Sequence, residues 1–177
     1  SDVDRVKEDA KRLVEESKRS VDESAKDMRR TLKRSRDESR RVKEELKRLV
    51  DRVKESGLDD KVVRELERAV RRVEEDLKKL NKDHEDKSRE LIKRSEKNVR
   101  ELKKVVEDVA EELDRTTDKD EIRELLERVK KLVDESRRHD KRLVEENRRS
   151  ARDSLREIER LLREVRKLVE KVLRDRK

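Results

Sequence analysis

Uncharged residues recur every three or four positions along almost the whole chain, and charged residues fill most of the positions between them. In the first third of the sequence the recurring positions are Val3, Val6, Ala10, Leu13, Ser17, Ser20, Ser24, Met28, Thr31, Ser35, Ser39, Val42, Leu46, Leu49 and Val53. Their mean spacing is about 3.6 residues, the repeat of a straight α-helix. The pattern therefore predicts long amphipathic helices that are nearly straight or weakly supercoiled.

The pattern is interrupted in two places, and the first is ESGLDD at residues 55–60. Gly57, the sole glycine, suits the left-handed position that follows a helix. Asp59 can cap the next helix, with Leu58 and Val63 packing across the cap as a hydrophobic staple. The segment predicts a tight turn between two helices.

The second interruption is RTTDKDE at residues 115–121. Asp118 and Glu121 have the spacing of a capping box, and acidic residues suit the positive end of the helix dipole. Ser1 is a similar cap candidate at the start of the chain. A second helix is expected to end before this segment and a third to begin in it.

These two turns divide the chain into helices at about 3–56, 59–115 and 118–176, each of about 55 residues. Short connections between helices of similar length favour antiparallel neighbours. The predicted fold is all-α, an antiparallel up-down-up three-helix bundle that forms a single domain over residues 1–177.

Polar side chains replace the expected leucine and valine in the middle of every predicted helix. If the chain folds at its two turns, these positions fall at matching levels of the three helices. The residues expected to form a buried polar network in this way are Ser17, Ser20, Thr31, Ser35, Asn81, His84, Ser88, Ser95, Asn98, Ser136, His139, Asn147, Ser150 and Ser154.

The energetics require these groups to find partners or water. Each buried polar group left unpaired costs roughly 1–3 kcal/mol, whereas the net stability of a domain is about 5–15 kcal/mol. Amide and imidazole groups facing hydroxyls offer matching donors and acceptors. We therefore expect two or more buried hydrogen-bond networks; the alternative is a wet, loosely packed mid-section.

Composition adjusts this interpretation only slightly. Charged residues make up 60% of the chain, which is typical of disorder, but the periodic apolar positions favour folding. The formal net charge is +8, with the two signs mostly interleaved. No aromatic residue is present to stack on bases or to anchor a helix in a membrane surface. We expect neither a nucleic-acid partner nor a membrane partner, and no apolar run is long enough to span a bilayer.

The two histidines are candidates for metal binding or acid–base chemistry. In the predicted register they lie roughly 20 Å apart along the bundle, too far to share a metal. No HExxH spacing and no repeated Glu-x-x-His pair occurs, and cysteine is absent. A serine nucleophile would need a base and an oxyanion hole, which helix interiors do not supply. We expect no enzyme activity, metal or cofactor.

Together these features resemble those of de novo designed helical bundles with buried hydrogen-bond networks. The resemblance rests on the SGLDD and TTDKDE loops, the Lys/Arg/Glu/Asp surface, the Leu/Val/Ile layers, and the Ser, Asn and His core positions. It extends over the whole chain, although it identifies only a class. A natural spectrin-like repeat is similar in architecture, but it is usually shorter per helix and carries core aromatics that this chain lacks.

The resemblance implies a structural scaffold without catalytic or ligand-binding activity, in which polar layers specify how the helices pair. The alternative is an interaction module that self-associates or accepts a partner helix, with the polar layers selecting the partner. A structural monomer requires no partner.

Overall fold

A computed structural model of the chain describes residues 2–175. It contains three α-helices, which we number in chain order: α1 (Asp2–Glu55), α2 (Asp60–Arg115) and α3 (Lys119–Asp175). The predicted all-α fold with three helices of about 55 residues is confirmed, and the three helices pack against one another. The cap predicted at Ser1 and the helical residue predicted at position 176 lie outside the described residues.

The turn between α1 and α2 forms as the sequence predicts. Gly57 has a φ of 74°, which is the left-handed conformation expected after a helix end. The carbonyl of Asp59 accepts the first helical hydrogen bonds of α2, and its side chain accepts one from the amide of Lys61 at 3.3 Å. Leu58 and Val63 both pack against the same core cluster, and the staple contact between them stays a prediction.

The turn between α2 and α3 differs from the predicted capping box in one detail. Asp118 does cap α3, because its carboxylate accepts a hydrogen bond from the amide of Asp120 at 3.0 Å. The carboxylate of Glu121, however, accepts from the hydroxyl of Thr116 at 2.8 Å. That same hydroxyl oxygen accepts from the amide of Asp118 at 3.2 Å. Thr116 therefore takes the place of the direct return bond from Glu121.

The chain forms two compact units. The first unit combines α1 up to Met28 with Ser88–Asn147, and the second unit combines Arg29–Lys87 with α3 from Arg148 onward. The single domain expected over residues 1–177 stays a prediction.

The first unit has two apolar clusters. The smaller one joins Met28 of α1, Leu91 of α2 and Leu143 of α3, with Ile92 packed against it. The buried members of the larger one come from all three helices: Ala10, Leu13, Val14, Leu102, Val106, Val109, Leu113, Leu125 and Val129. Within this unit Ser17 contacts Ser136, 119 positions away, and Lys7 contacts Asp114, 107 positions away.

The second unit has one apolar cluster, which also draws on all three helices. Its buried members are Val42, Leu46, Val50, Val53, Leu66, Val70, Val73, Leu77, Ile158, Leu161, Val165 and Val169. Contacts between α1 and α3 join residues 119 and 121 positions apart, as expected where two helices run in the same direction. Contacts between α1 and α2 join residues whose separation falls from 46 to 42 toward the turn, as expected for opposite directions.

The uncharged stripe predicted for α1 is the interior face of this helix. Every one of its positions, apolar or polar, is buried or half-buried. Across the described part of the chain, Leu168 is the only large apolar side chain that counts as exposed, at 37%. The periodic pattern thus places nearly all of the apolar surface inside.

A candidate structural site of buried polar side chains

The most complete polar cluster lies in the second unit and joins all three helices. The hydroxyl of Ser35 donates to the side-chain oxygen of Asn81 at 2.9 Å and lies 3.1 Å from the hydroxyl of Ser154. The side-chain nitrogen of Asn81 donates to the hydroxyl of Ser39 at 3.0 Å. We call these four residues the Asn81 cluster. Within this cluster, each hydrogen bond matches a donor group on one side chain with an acceptor group on another.

Helix geometry explains why one amide can serve two serines. Ser35 and Ser39 are four residues apart on α1, so their side chains project from the same face on successive turns. The oxygen and nitrogen of the Asn81 amide each reach one of them. Ser39 lies on the predicted α1 stripe but is not part of the predicted network. Its spacing from Ser35 was the signal that could have placed it there.

His84 also lies in the second unit, three residues after Asn81 on α2. Its side chain is 4% exposed, and neither ring nitrogen has a hydrogen-bond partner among residues 2–175. Burial lowers the pKa of His84 below its ordinary value of 6.5, because a charged imidazolium loses hydration in the interior. His84 is therefore close to the Asn81 cluster in sequence but makes no hydrogen bond to it.

In the first unit, two pairs of predicted residues come together. The hydroxyls of Ser17 and Ser136 lie 3.3 Å apart and link α1 to α3. The amide nitrogen of Asn98 contacts the Nε2 atom of His139 and links α2 to α3. All four residues belong to the set that is expected from the sequence to form a buried polar network.

Ser95 is buried but does not reach another helix. Its hydroxyl donates to the carbonyl of Leu91, one turn earlier on the same helix, at 2.9 Å. This back-bond satisfies the hydroxyl without specifying a neighbour. The other serines of the predicted set, Ser20 and Ser150, are half-buried and have no hydrogen-bond partner within the described chain; Thr31 is also half-buried.

Two buried polar groups of the first unit have no partner. The hydroxyl of Ser88 and the side-chain oxygen of Asn147 make no hydrogen bond to any described residue, although these residues are only 1% and 2% exposed. Both residues belong to the same unit as Met28. Each group therefore loses hydration without gaining a bond to a described residue.

Asp140 adds a further perturbed group to the first unit. Burial raises the pKa of Asp140 above its ordinary value, because the carboxylate form loses hydration. The neighbouring His139 acts in the opposite direction on the pKa of Asp140, through its electrostatic interaction with the carboxylate. His139 and Asp140 are consecutive residues of α3.

The residues described hold no group of three or more His, Cys, Asp or Glu side chains placed to bind a metal ion. None of the helices, within residues 2–175, is long and apolar enough to cross a membrane. The buried polar side chains instead form hydrogen bonds between helices, most completely in the Asn81 cluster.

The chain matches no protein-family model, no curated protein and no solved structure at a significant level.

Proposed function

We propose that this chain is a designed structural bundle, in which buried polar side chains specify which helix faces pair. The Asn81 cluster carries the proposal, because four side chains from α1, α2 and α3 meet there in hydrogen-bonding geometry. The polar residues of each helix are explained by their hydrogen-bond partners on the facing helices.

Alternatives to the native helix pairing would break the hydrogen bonds of the Asn81 cluster. A displacement of α2 that carried Asn81 out of reach of both Ser35 and Ser39 would leave the amide oxygen, the amide nitrogen and the Ser39 hydroxyl without these bonds, while the contact between Ser35 and Ser154 would remain. At about 1–3 kcal/mol each, these three groups would cost roughly 3–9 kcal/mol. That cost is comparable to the net stability of a whole domain, so slipped pairings would be strongly disfavoured.

The apolar surface supports a self-contained molecule. Leu168 alone among the large apolar side chains of residues 2–175 is exposed, so little apolar area remains to drive association. A structural bundle of this kind is expected to be a monomer of 21.5 kDa. Light scattering measures this directly, and a stable dimer would instead favour the interaction module.

The pairing role is tested by replacing the cluster. A variant with Ser35→Ala, Ser39→Ala, Asn81→Leu and Ser154→Ala keeps an apolar interior but removes the specifying bonds. We expect it to remain helical while showing mixed oligomers in light scattering or multiple sets of amide signals in NMR spectra. A control variant, Ser20→Ala with Ser150→Ala, removes two hydroxyls without partners and should behave like the parent chain.

The opposite outcome is equally clear. If the four-fold variant stays monomeric with one set of amide signals, the polar cluster does not specify pairing. The apolar pattern would then be sufficient by itself.

A further inference from the structure

A crevice of about 310 Å³ lies between α1 and α2 in the first unit. Its volume is about twice that of a protein cavity of roughly 150 Å³ that binds benzene, and it falls at the lower end of the range for small-molecule sites. The floor is apolar and is formed mainly by Ala10, Val14, Val106 and Ala110. This feature has no counterpart in the scaffold function and departs from the expectation that the chain binds no ligand.

The crevice exposes too little apolar surface to dock another helix. Ala10 and Val106 are only 3% and 6% exposed, so the floor offers no broad apolar strip. A helix with its side chains is about 10–12 Å wide and needs such a strip to dock. An unbranched alkyl chain is far thinner and can lie along a floor of this kind.

Charge distinguishes the two ends of the crevice. Lys7 at one end forms an ion pair with Asp114. Because α1 and α2 run in opposite directions, moving eleven residues along α1 from 7 to 18 corresponds to moving eleven back along α2 from 114 to 103. Lys18 and Lys103 therefore lie level with each other at the other end, about 16 Å away at 1.5 Å per residue.

Only one of the two lysines at this second end has a partner. Lys18 pairs with Glu15 at 3.5 Å, whereas Lys103 has no ion-pair or hydrogen-bond partner among residues 2–175. Four lysines and two glutamates line the crevice in total. Long lysine side chains can extend over an apolar floor and keep their ammonium groups at its edge.

We infer that this crevice binds a medium-chain, straight-chain fatty acid, with its carboxylate at Lys103 and Lys18 and its alkyl chain along the floor toward Leu113. The two parts of such a ligand match the two parts of the site. The apolar floor removes the alkyl chain from water, and the unpaired Lys103 supplies the positive charge that selects an anionic head group.

The test uses the full ¹⁵N-labelled chain and decanoate, kept below the concentration at which it forms micelles. Titration followed by NMR should show saturable one-to-one binding, with amide shifts concentrated in residues 6–18 and 103–113. Octanoate lacks two methylenes and should bind about 15-fold more weakly, at roughly fourfold per buried methylene. Decyltrimethylammonium has an alkyl chain one carbon longer but a positive head group, and it should not saturate the crevice.

Two variants with matched controls locate the site. Ala110→Leu fills the floor and should abolish saturable binding, whereas Ala69→Leu replaces another half-buried alanine of α2, in the second unit, and should leave binding unchanged. Lys103→Glu reverses the protein charge that faces the carboxylate of the ligand, at an exposed position, and should weaken binding roughly three- to tenfold. Lys78→Glu makes the same change at an exposed α2 lysine of the second unit and should have no effect.

The inference is overturned if decanoate shows no saturation or if the shifts spread evenly over the chain. Equal weakening by Lys103→Glu and Lys78→Glu would also overturn it, because the effect would then come from net charge. The lysine pair keeps the test valid even if Ala110→Leu disturbs folding.

Discussion

The side-chain nitrogen of Asn81 on α2 donates to the hydroxyl of Ser39 on α1 at 3.0 Å. The oxygen of the same amide accepts from Ser35, one turn earlier on α1, at 2.9 Å. A single asparagine thus bridges two successive turns of the facing helix. This arrangement explains why α1 carries serine where a leucine would otherwise fill the core, since a larger side chain would remove a partner of the amide.

The bond between Asn81 and Ser39 should appear as an energetic coupling. Asn81→Ala leaves the Ser39 hydroxyl without this bond and is expected to lower the free energy of unfolding by about 1–3 kcal/mol. In a double-mutant cycle with Ser39→Ala, urea unfolding should give a coupling energy of about 1 kcal/mol. The control cycle pairs Asn81→Ala with Ser95→Ala, because Ser95 bonds only to its own helix in the first unit. Additive effects at Asn81 and Ser39 would contradict the assigned bond.

Two serines of equal burial should respond in opposite ways to alanine. Ser88 and Ser35 are each 1% exposed, but only Ser35 has hydrogen-bond partners among the described residues. Ser88→Ala should raise the free energy of unfolding by about 1 kcal/mol, because it removes an unpaired buried hydroxyl and improves helix propensity. Ser35→Ala should lower it by about 1–2 kcal/mol. Urea unfolding of both variants tests the contrast, and two shifts of the same sign and size would refute it.

Stability should fall at mildly acidic pH because of His84. Its pKa is lowered in the folded chain from an ordinary value of 6.5, so the unfolded chain binds the proton more tightly. The contribution of His84 to stability is complete above pH 6.5 and is lost progressively as the pH falls from 6.5 toward the folded pKa. Urea midpoints between pH 7.5 and 5.5 should show this decline.

The variant His84→Gln should remove this part of the decline, whereas His139→Gln retains His84 and should keep it. The pH range of the measurement ends at 5.5 because carboxyl groups titrate below that pH. The raised pKa of Asp140 would increase stability as the pH falls, opposite to the effect of His84. Identical pH slopes in the parent chain and His84→Gln would show that the burial of His84 has no effect on stability.

Gly57 should be sensitive to substitution for conformational reasons alone. A Cβ atom at this position would meet nothing within 4 Å, so space is not limiting. Its φ of 74°, however, is unfavourable for other residues, and Gly57→Ala should lower the free energy of unfolding by about 1–2 kcal/mol. Gly57→Asn should cost less, because asparagine tolerates the left-handed conformation. Urea unfolding that gives no loss for alanine would indicate that the turn adopts a different conformation in solution.

The sequence by itself determined the helices of this protein and which faces they bury. A periodic pattern near 3.6 residues sets the interior stripe, while Gly57 and Asp118 set the ends, because these signals act between residues close in the chain. The capping-box spacing does not predict the role of Thr116 in the second turn, where its hydroxyl oxygen takes the place of the Glu121 carboxylate as acceptor for the amide of Asp118.

Only the tertiary structure decided which buried polar groups have partners. The sequence placed Ser35, Asn81 and Ser88 on interior faces alike, yet Ser35 and Asn81 bond to each other and Ser88 bonds to nothing described. A hydrogen bond requires its two atoms to approach within about 3 Å at a favourable angle. Helical periodicity predicts only the face of the helix on which a side chain lies and its position along the helix axis. Which polar groups form hydrogen bonds therefore depends on how neighbouring helices pack against one another.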